Sequence, residues 1–295
     1  MRKEPIRHHY IPRFILRNFC DEKDILTYCD KETKETTVVD IKEIFMEKNM
    51  YRDETNSVSN PTKIEEDLSR FEGEISKIIK KMLIVDKVVL KKEDDEKIKL
   101  FLAIMGFRNH RTKYNFAEEM SSVSKDMYLQ YQENGDFLDL WKRNLGYLVN
   151  CRTGKDVINH TEIDEPIKVF MMRDIYGVFG TYLVIVEKRE EEGFVVGDTY
   201  PAVVTGTHAN GWSLHMYSIN PISPSRAVLL VSNGAEGVPR EVLEFRSSIL
   251  SKPKIHLEDG SVAIRVKKIY PEEVRVINNM TIHAAQKGYV IKTDS

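Results

Sequence analysis

The chain has 295 residues, 41% of them hydrophobic and 31% charged, with a formal net charge of −2. That length serves one large domain or two smaller ones, and the mixture is ordinary for a soluble globular protein. A balance so near zero excludes a global pull toward nucleic acid or anionic membrane, so any polyanion site must be a local basic patch.

Cys20, Cys29 and Cys151 lie far apart with no Cys-x-x-Cys pair. Such a pattern argues against a zinc ribbon and for reduced thiols, hence for a cytoplasmic protein. The start is charged from Arg2 onward and lacks an apolar stretch, so no signal peptide is expected. The longest mostly apolar run, Val178 to Val186, is interrupted by Gly180 and Thr181 and is too short to span a bilayer.

In chain order, Arg7 to Phe19 comes first, with two histidines, three arginines and several large apolar side chains in one short stretch. Pro12 suits the first position of a helix, which would put Arg13 and Arg17 on one face and bury Phe14, Ile15 and Phe19. An end this apolar must dock. Ile25–Cys29 and Thr36–Val39 flank a polar turn and predict a β-hairpin. Asn60-Pro61 starts a helix to about Leu83, with Ile64, Leu68, Phe71, Ile75, Ile78 and Met82 at helical spacing.

Helical spacing resumes near Asp94 and runs with drift to Tyr131, as one long helix or two bending near Arg111. Asp136 can cap a helix through Leu145, and another starts near Asp164-Glu165-Pro166. From Tyr182 to Val231 the chain turns to Val, Thr, Tyr and Gly and predicts short strands at 182–187, 194–196, 202–205, 214–218 and 227–231. Helices are expected from Pro239 to about Leu250 and from Pro271 to Gln286. The expected fold is α+β. A mainly helical portion runs to about residue 178, and a small, mostly antiparallel β region follows, with the final helix packed back on the body. All 295 residues are expected to form a single unit.

Several groups of residues invite chemistry. His8-His9 does not suit a metal, because adjacent residues of an extended chain point to opposite sides. Arg13 and Arg17, with Arg7 nearby, form one positive cluster, and Arg108-Asn109-His110-Arg111 forms a second in which Arg108 and Arg111 would share a helical face. If the clusters converge they make a fork suited to phosphate or carboxylate; otherwise each arginine pairs with an acidic residue such as Glu65, Glu72 or Asp198. Asp198 ends an apolar strand beside a loop, where it serves equally as a site carboxylate or a turn former. His208 and His215 flank a glycine-containing loop with Trp212. No phosphate loop, Gly-x-Ser-x-Gly elbow or Gly-x-Gly-x-x-Gly is present.

His8-His9-Tyr10-Ile11-Pro12, followed by Phe14, Leu16, Arg17, Asn18 and Phe19, resembles the opening signature of the DUF4238 family of uncharacterised microbial proteins. Glu65 with Leu68-Ser69, the apolar helix ending in Arg108, Phe194 to Asp198 with Pro201, and Pro221-Ile222-Ser223-Pro224 are similar to the same family. These features span nearly the whole chain. The family pattern reads Asp-x-Pro where this chain has Asp198-Thr199-Tyr200-Pro201. The resemblance implies no particular activity.

Two functions fit these residues. One is a phosphodiesterase or nuclease-type hydrolase, with His9, Glu65 and Asp198 as acid–base groups and Arg13, Arg17, Arg108 and Arg111 holding an anionic substrate such as nucleic acid. Such chemistry runs with or without Mg²⁺ or Mn²⁺, and no protein metal site is expected. The other is a non-catalytic protein that recognises phosphate or carboxylate groups of a partner, with the arginine–carboxylate network mainly structural. An open pocket around these residues would favour chemistry, and full mutual pairing would favour structure.

Overall fold

A computed structural model describes residues 7–114, 137–175, 181–190, 192–207, 213–232, 239–250 and 254–292. It opens with strand β1 (Arg7–His9) and a four-residue helix α1 (Arg13–Leu16), followed by β2 (Ile25–Asp30), β3 (Thr36–Asp40) and β4 (Met46–Lys48). Helix α2 (Lys63–Ile84), strand β5 (Lys87–Leu90) and helices α3 (Lys92–Arg108), α4 (His110–Tyr114), α5 (Phe137–Leu148), α6 (Gly154–Asn159) and α7 (Glu165–Ile175) come next. The last part holds β6 (Thr181–Lys188), β7 (Val196–Gly197), β8 (Ala202–Thr207), β9 (Ser213–Pro221), β10 (Arg226–Ser232), α8 (Arg240–Ile249), β11 (Lys254–His256), β12 (Val262–Ile269), α9 (Pro271–Ala284) and β13 (Gly288–Ile291).

The fold is α+β, with sheets that are antiparallel except where β12 runs parallel to β6. The largest sheet has the order β11-β12-β6-β10-β9-β8, and β5 also pairs with β12. Every residue of β10 is buried. Its alternate side chains feed two cores. Val228 and Leu230 face the core built on α2, α3 and α5, whereas Ala227, Leu229 and Val231 face the core under α8 and α9. A continuous apolar run is what a strand covered on both faces requires. Arg226, at the start of β10, reaches back to the carbonyls of Met82 and Val85 at 2.6 and 2.8 Å and pairs with Glu187, tying the sheet to the end of α2.

Helix α3 is apolar almost all round from Ile98 to Arg108 and is buried on every side there. A helix without a polar face belongs in the middle. It packs against α2, α5 and α7. By contrast α2 buries one stripe, Ile64, Leu68, Phe71, Ile75, Ile78 and Met82, at the expected spacing. Its cap is Thr62 rather than Asn60, because the Asn60 carboxamide oxygen accepts from the Thr62 hydroxyl at 2.9 Å and shifts the start.

The hairpin of β2 and β3 joins later strands in a second sheet, β3-β2-β13-β7, which brings the two ends of the chain together. Two expectations need correction. The first portion also carries β1, β4 and β5, which break its helical character. Strand β7 is only Val196–Gly197, because Phe194 and Val195 run past Pro224 and Asn278 without a strand partner. Of the two forms expected for the next helical stretch, the structure has two helices rather than one. Helix α3 stops at Arg108 and α4 starts at His110, close to the expected bend at Arg111, and the expected continuation over 115–136 lies outside the described residues. Among the described residues no helix is long and apolar enough to cross a membrane.

Candidate functional site

The opening signature builds a closed network. Strand β1 pairs with β4, and His8 Nδ1 accepts the backbone N–H of Tyr51 at 2.9 Å, with the two rings stacked. His9 Nε2 lies 2.9 Å from the Ile41 carbonyl, which only accepts, so Nε2 carries the proton. Burial lowers the His9 pKa, and the positive charges of Arg13, Arg108 and Arg7 push the same way.

Arg108, 1% exposed, donates to the carbonyls of His9 at 3.0 Å and Tyr10 at 3.4 Å. Its Nη1 lies 2.7 Å from Glu72 Oε1 and its guanidinium stands over the Tyr51 ring. Glu65 shares this environment. Burial raises its carboxyl pKa to about 7, the Arg108 charge opposes that rise and the Glu72 charge adds to it.

His9 and Glu65 therefore both lie within reach of the Arg108 charge, each half-buried while Arg108 is fully buried. Arg108 serves the fold: it satisfies two carbonyls of the N-terminal segment and one carboxylate of α2. The other expected members lie elsewhere. Arg7 pairs with Glu43 at the surface, and the exposed Arg17 is 4.0 Å from Asp24. Arg13 is half-buried, and its Nε has no hydrogen-bond partner among the described residues. Asp198 Oδ1 accepts from Gln286 N–H at 2.7 Å, and Oδ2 accepts from Lys287 N–H at 2.6 Å and Gly288 N–H at 3.4 Å. With both oxygens engaged by the backbone of residues 286–288, Asp198 does not form a turn of its own but ties the end of β7 to the start of β13.

Arg111 does not share a face with Arg108. The extended backbone of Asn109 (ψ 160°) breaks the helix, and its side-chain oxygen accepts Thr112 N–H at 2.7 Å to start α4 anew. Arg108 stays in the core while Arg111 turns out to solvent. There it lines two adjoining cavities. The smaller, about 100 Å³, mixes Asn109, Thr199, Thr205 and His215 with Phe170, Pro201 and Val203. The larger, about 660 Å³, lies between β8, the start of α8 and α9. Arg111 makes no ion pair or hydrogen bond among the described residues.

Elsewhere on α4, Glu47 accepts from Lys113 and, at 3.2 Å, from the Tyr114 hydroxyl. Its other oxygen is buried 3.9 Å from His110 Nε2. Burial lowers the His110 pKa, against the pull of Glu47. Neither Glu47 nor Lys113 carries a spacing signal in the sequence, since β4 and α4 meet only through folding. Asn279 and His283, four apart on α9, share one helical face by spacing, but only folding sets that face against β8 to line the larger cavity. His208 and Trp212 lie outside the described residues. Among the described residues no three His, Cys, Asp or Glu side chains gather as a metal ion would need.

One family model, described as "Protein of unknown function (DUF4238)", matches residues 7–295. No curated protein and no solved structure matches the chain.

Proposed function

The chain belongs to the DUF4238 family, whose description carries no activity, and we propose from the geometry that the protein binds an anionic group, phosphate or carboxylate, at Arg111. One observation carries the reading: Arg111 is an exposed guanidinium on the shared wall of two cavities, with no carboxylate against it among the described residues. Arginine offers a planar fork of donors that matches phosphate and carboxylate. Asn109 and Thr205 place an amide and a hydroxyl on the same small cavity for the remaining anion oxygens.

The hydrolase reading is second. His215 on the wall of the small cavity favours it, since a histidine beside a bound phosphate can move a proton. His9, Glu65 and Asp198 do not stand beside Arg111 on these walls, so catalysis would rest on His215.

Calorimetric titration with inorganic phosphate, mononucleotides and single-stranded DNA tests both readings, with cleavage followed in Mg²⁺ or Mn²⁺. Wild type should bind phosphate-bearing ligands, and Arg111→Ala should weaken binding at least tenfold with little change in melting temperature, as its side chain is exposed. Wild type that binds nothing offered would sink the anion reading. Cleavage lost in His215→Ala with binding retained would promote the hydrolase reading over the binding one.

A further inference from the structure

The two chambers that meet at Arg111 differ in size and in lining. The small one mixes polar groups with Phe170, Pro201 and Val203, whereas the larger, about 660 Å³, is walled largely by Val203, Val204, Val242, Met280 and Ala284. A volume of this size falls in the range of small-molecule sites, which pair mostly apolar walls with a few placed polar groups. Inorganic phosphate alone would leave the apolar chamber filled with water, with no apolar body to take its place. The same guanidinium reaches both chambers. Asn279 and His283 place polar groups on α9 at the larger one.

We propose that the ligand is an amphipathic organic anion: its charged head is held by Arg111, and its apolar body lies in the chamber between β8, α8 and α9. This rests on the anion reading above and adds the class of ligand. Burying an alkyl chain releases water from both the chain and the walls, so affinity should grow with chain length until the chamber is full.

The test titrates the intact protein with inorganic phosphate and with butyl, hexyl and octyl phosphate, kept below their micelle concentrations. The matching n-alkanoates form a second arm that distinguishes a phosphate head from a carboxylate head. Wild type should gain roughly three- to fourfold in affinity per methylene. Ala284→Phe, which takes up part of the apolar chamber, should blunt that gain at the longer chains while leaving inorganic phosphate binding in place. Asn279→Trp, at an exposed position on the same chamber, should do likewise and serves if the first variant does not fold.

Arg111→Ala should weaken every chain length. Inorganic phosphate that binds through Arg111 as tightly as octyl phosphate would overturn the amphipathic inference and leave the anion reading standing. A chain-length gain that persists in both Asn279→Trp and Arg111→Ala would place the alkyl chain elsewhere and overturn it as well. Failure of all probes, inorganic phosphate included, would take down both.

Discussion

At Glu65 a single half-buried carboxyl stands within reach of a cation, Arg108, and another carboxylate, Glu72. Desolvation and Glu72 outweigh Arg108, so its pKa rises from 4.5 to about 7. In the unfolded chain the group ionises near its ordinary value. Between those limits the folded state binds more protons, so stability falls as pH rises. The contribution is complete below about pH 4.5 and lost once pH passes about 7. The shift converts to at most roughly 3 kcal/mol, less whatever solvent reaches the half-buried side chain. Glu65→Gln mimics the protonated form. It should match wild type near pH 5 and exceed it near pH 8 by about 1–3 kcal/mol in urea unfolding. A variant weaker than wild type at pH 8 would show that ionised Glu65 is a needed partner of Arg108.

At the scale of elements, the junction of β7 and β13 shows what Asp198 is for. Three backbone N–H groups at residues 286–288 converge on its carboxylate, and Asp198 N–H in turn donates to the Gly288 carbonyl at 3.0 Å. Gly288 is needed there because a Cβ would overlap the Tyr28 hydroxyl and the Cys29 carbonyl of β2. Charged acceptors bind N–H groups more strongly than neutral ones. Asp198→Asn should therefore cost about 1–3 kcal/mol in thermal or urea unfolding, with phosphate affinity at Arg111 retained. Affinity lost at unchanged melting temperature would instead put Asp198 in the site.

The long stripes of α2 and α9 and the hairpin of β2 and β3 were legible from periodicity, because each buries one face locally. Strands β5, β12 and β13 were not. Lys87 to Leu90 is four residues long, and β12 carries Arg265, Lys267 and Lys268, so their strand character comes from partners distant in sequence. Arg111 was legible as a basic residue, but its face was not, since one extended residue at Asn109 separates it from Arg108.

For the whole molecule, the N-terminal segment binds elements from both portions of the chain. Ile11, Ile15, Leu16 and Phe19 are fully buried, and Phe14 packs against Phe101 of α3. The Asn18 amide donates to the Ile222 carbonyl at 2.7 Å, between β9 and β10. The carbonyls of His9 and Tyr10 receive Arg108. Deleting residues 1–19 would expose apolar partners on α3 and leave a buried guanidinium with two fewer acceptors. Four fully buried side chains at roughly 1.5–3 kcal/mol each give about 6–12 kcal/mol. That rivals the total stability of about 5–15 kcal/mol typical of a domain. The truncated chain should be insoluble, or show secondary structure by circular dichroism without a cooperative melt. A soluble truncation that melts cooperatively and still binds phosphate would show that the segment is an appendage to a core complete without it. In that event Glu72, the Tyr51 ring and solvent would satisfy Arg108 without the carbonyls of His9 and Tyr10.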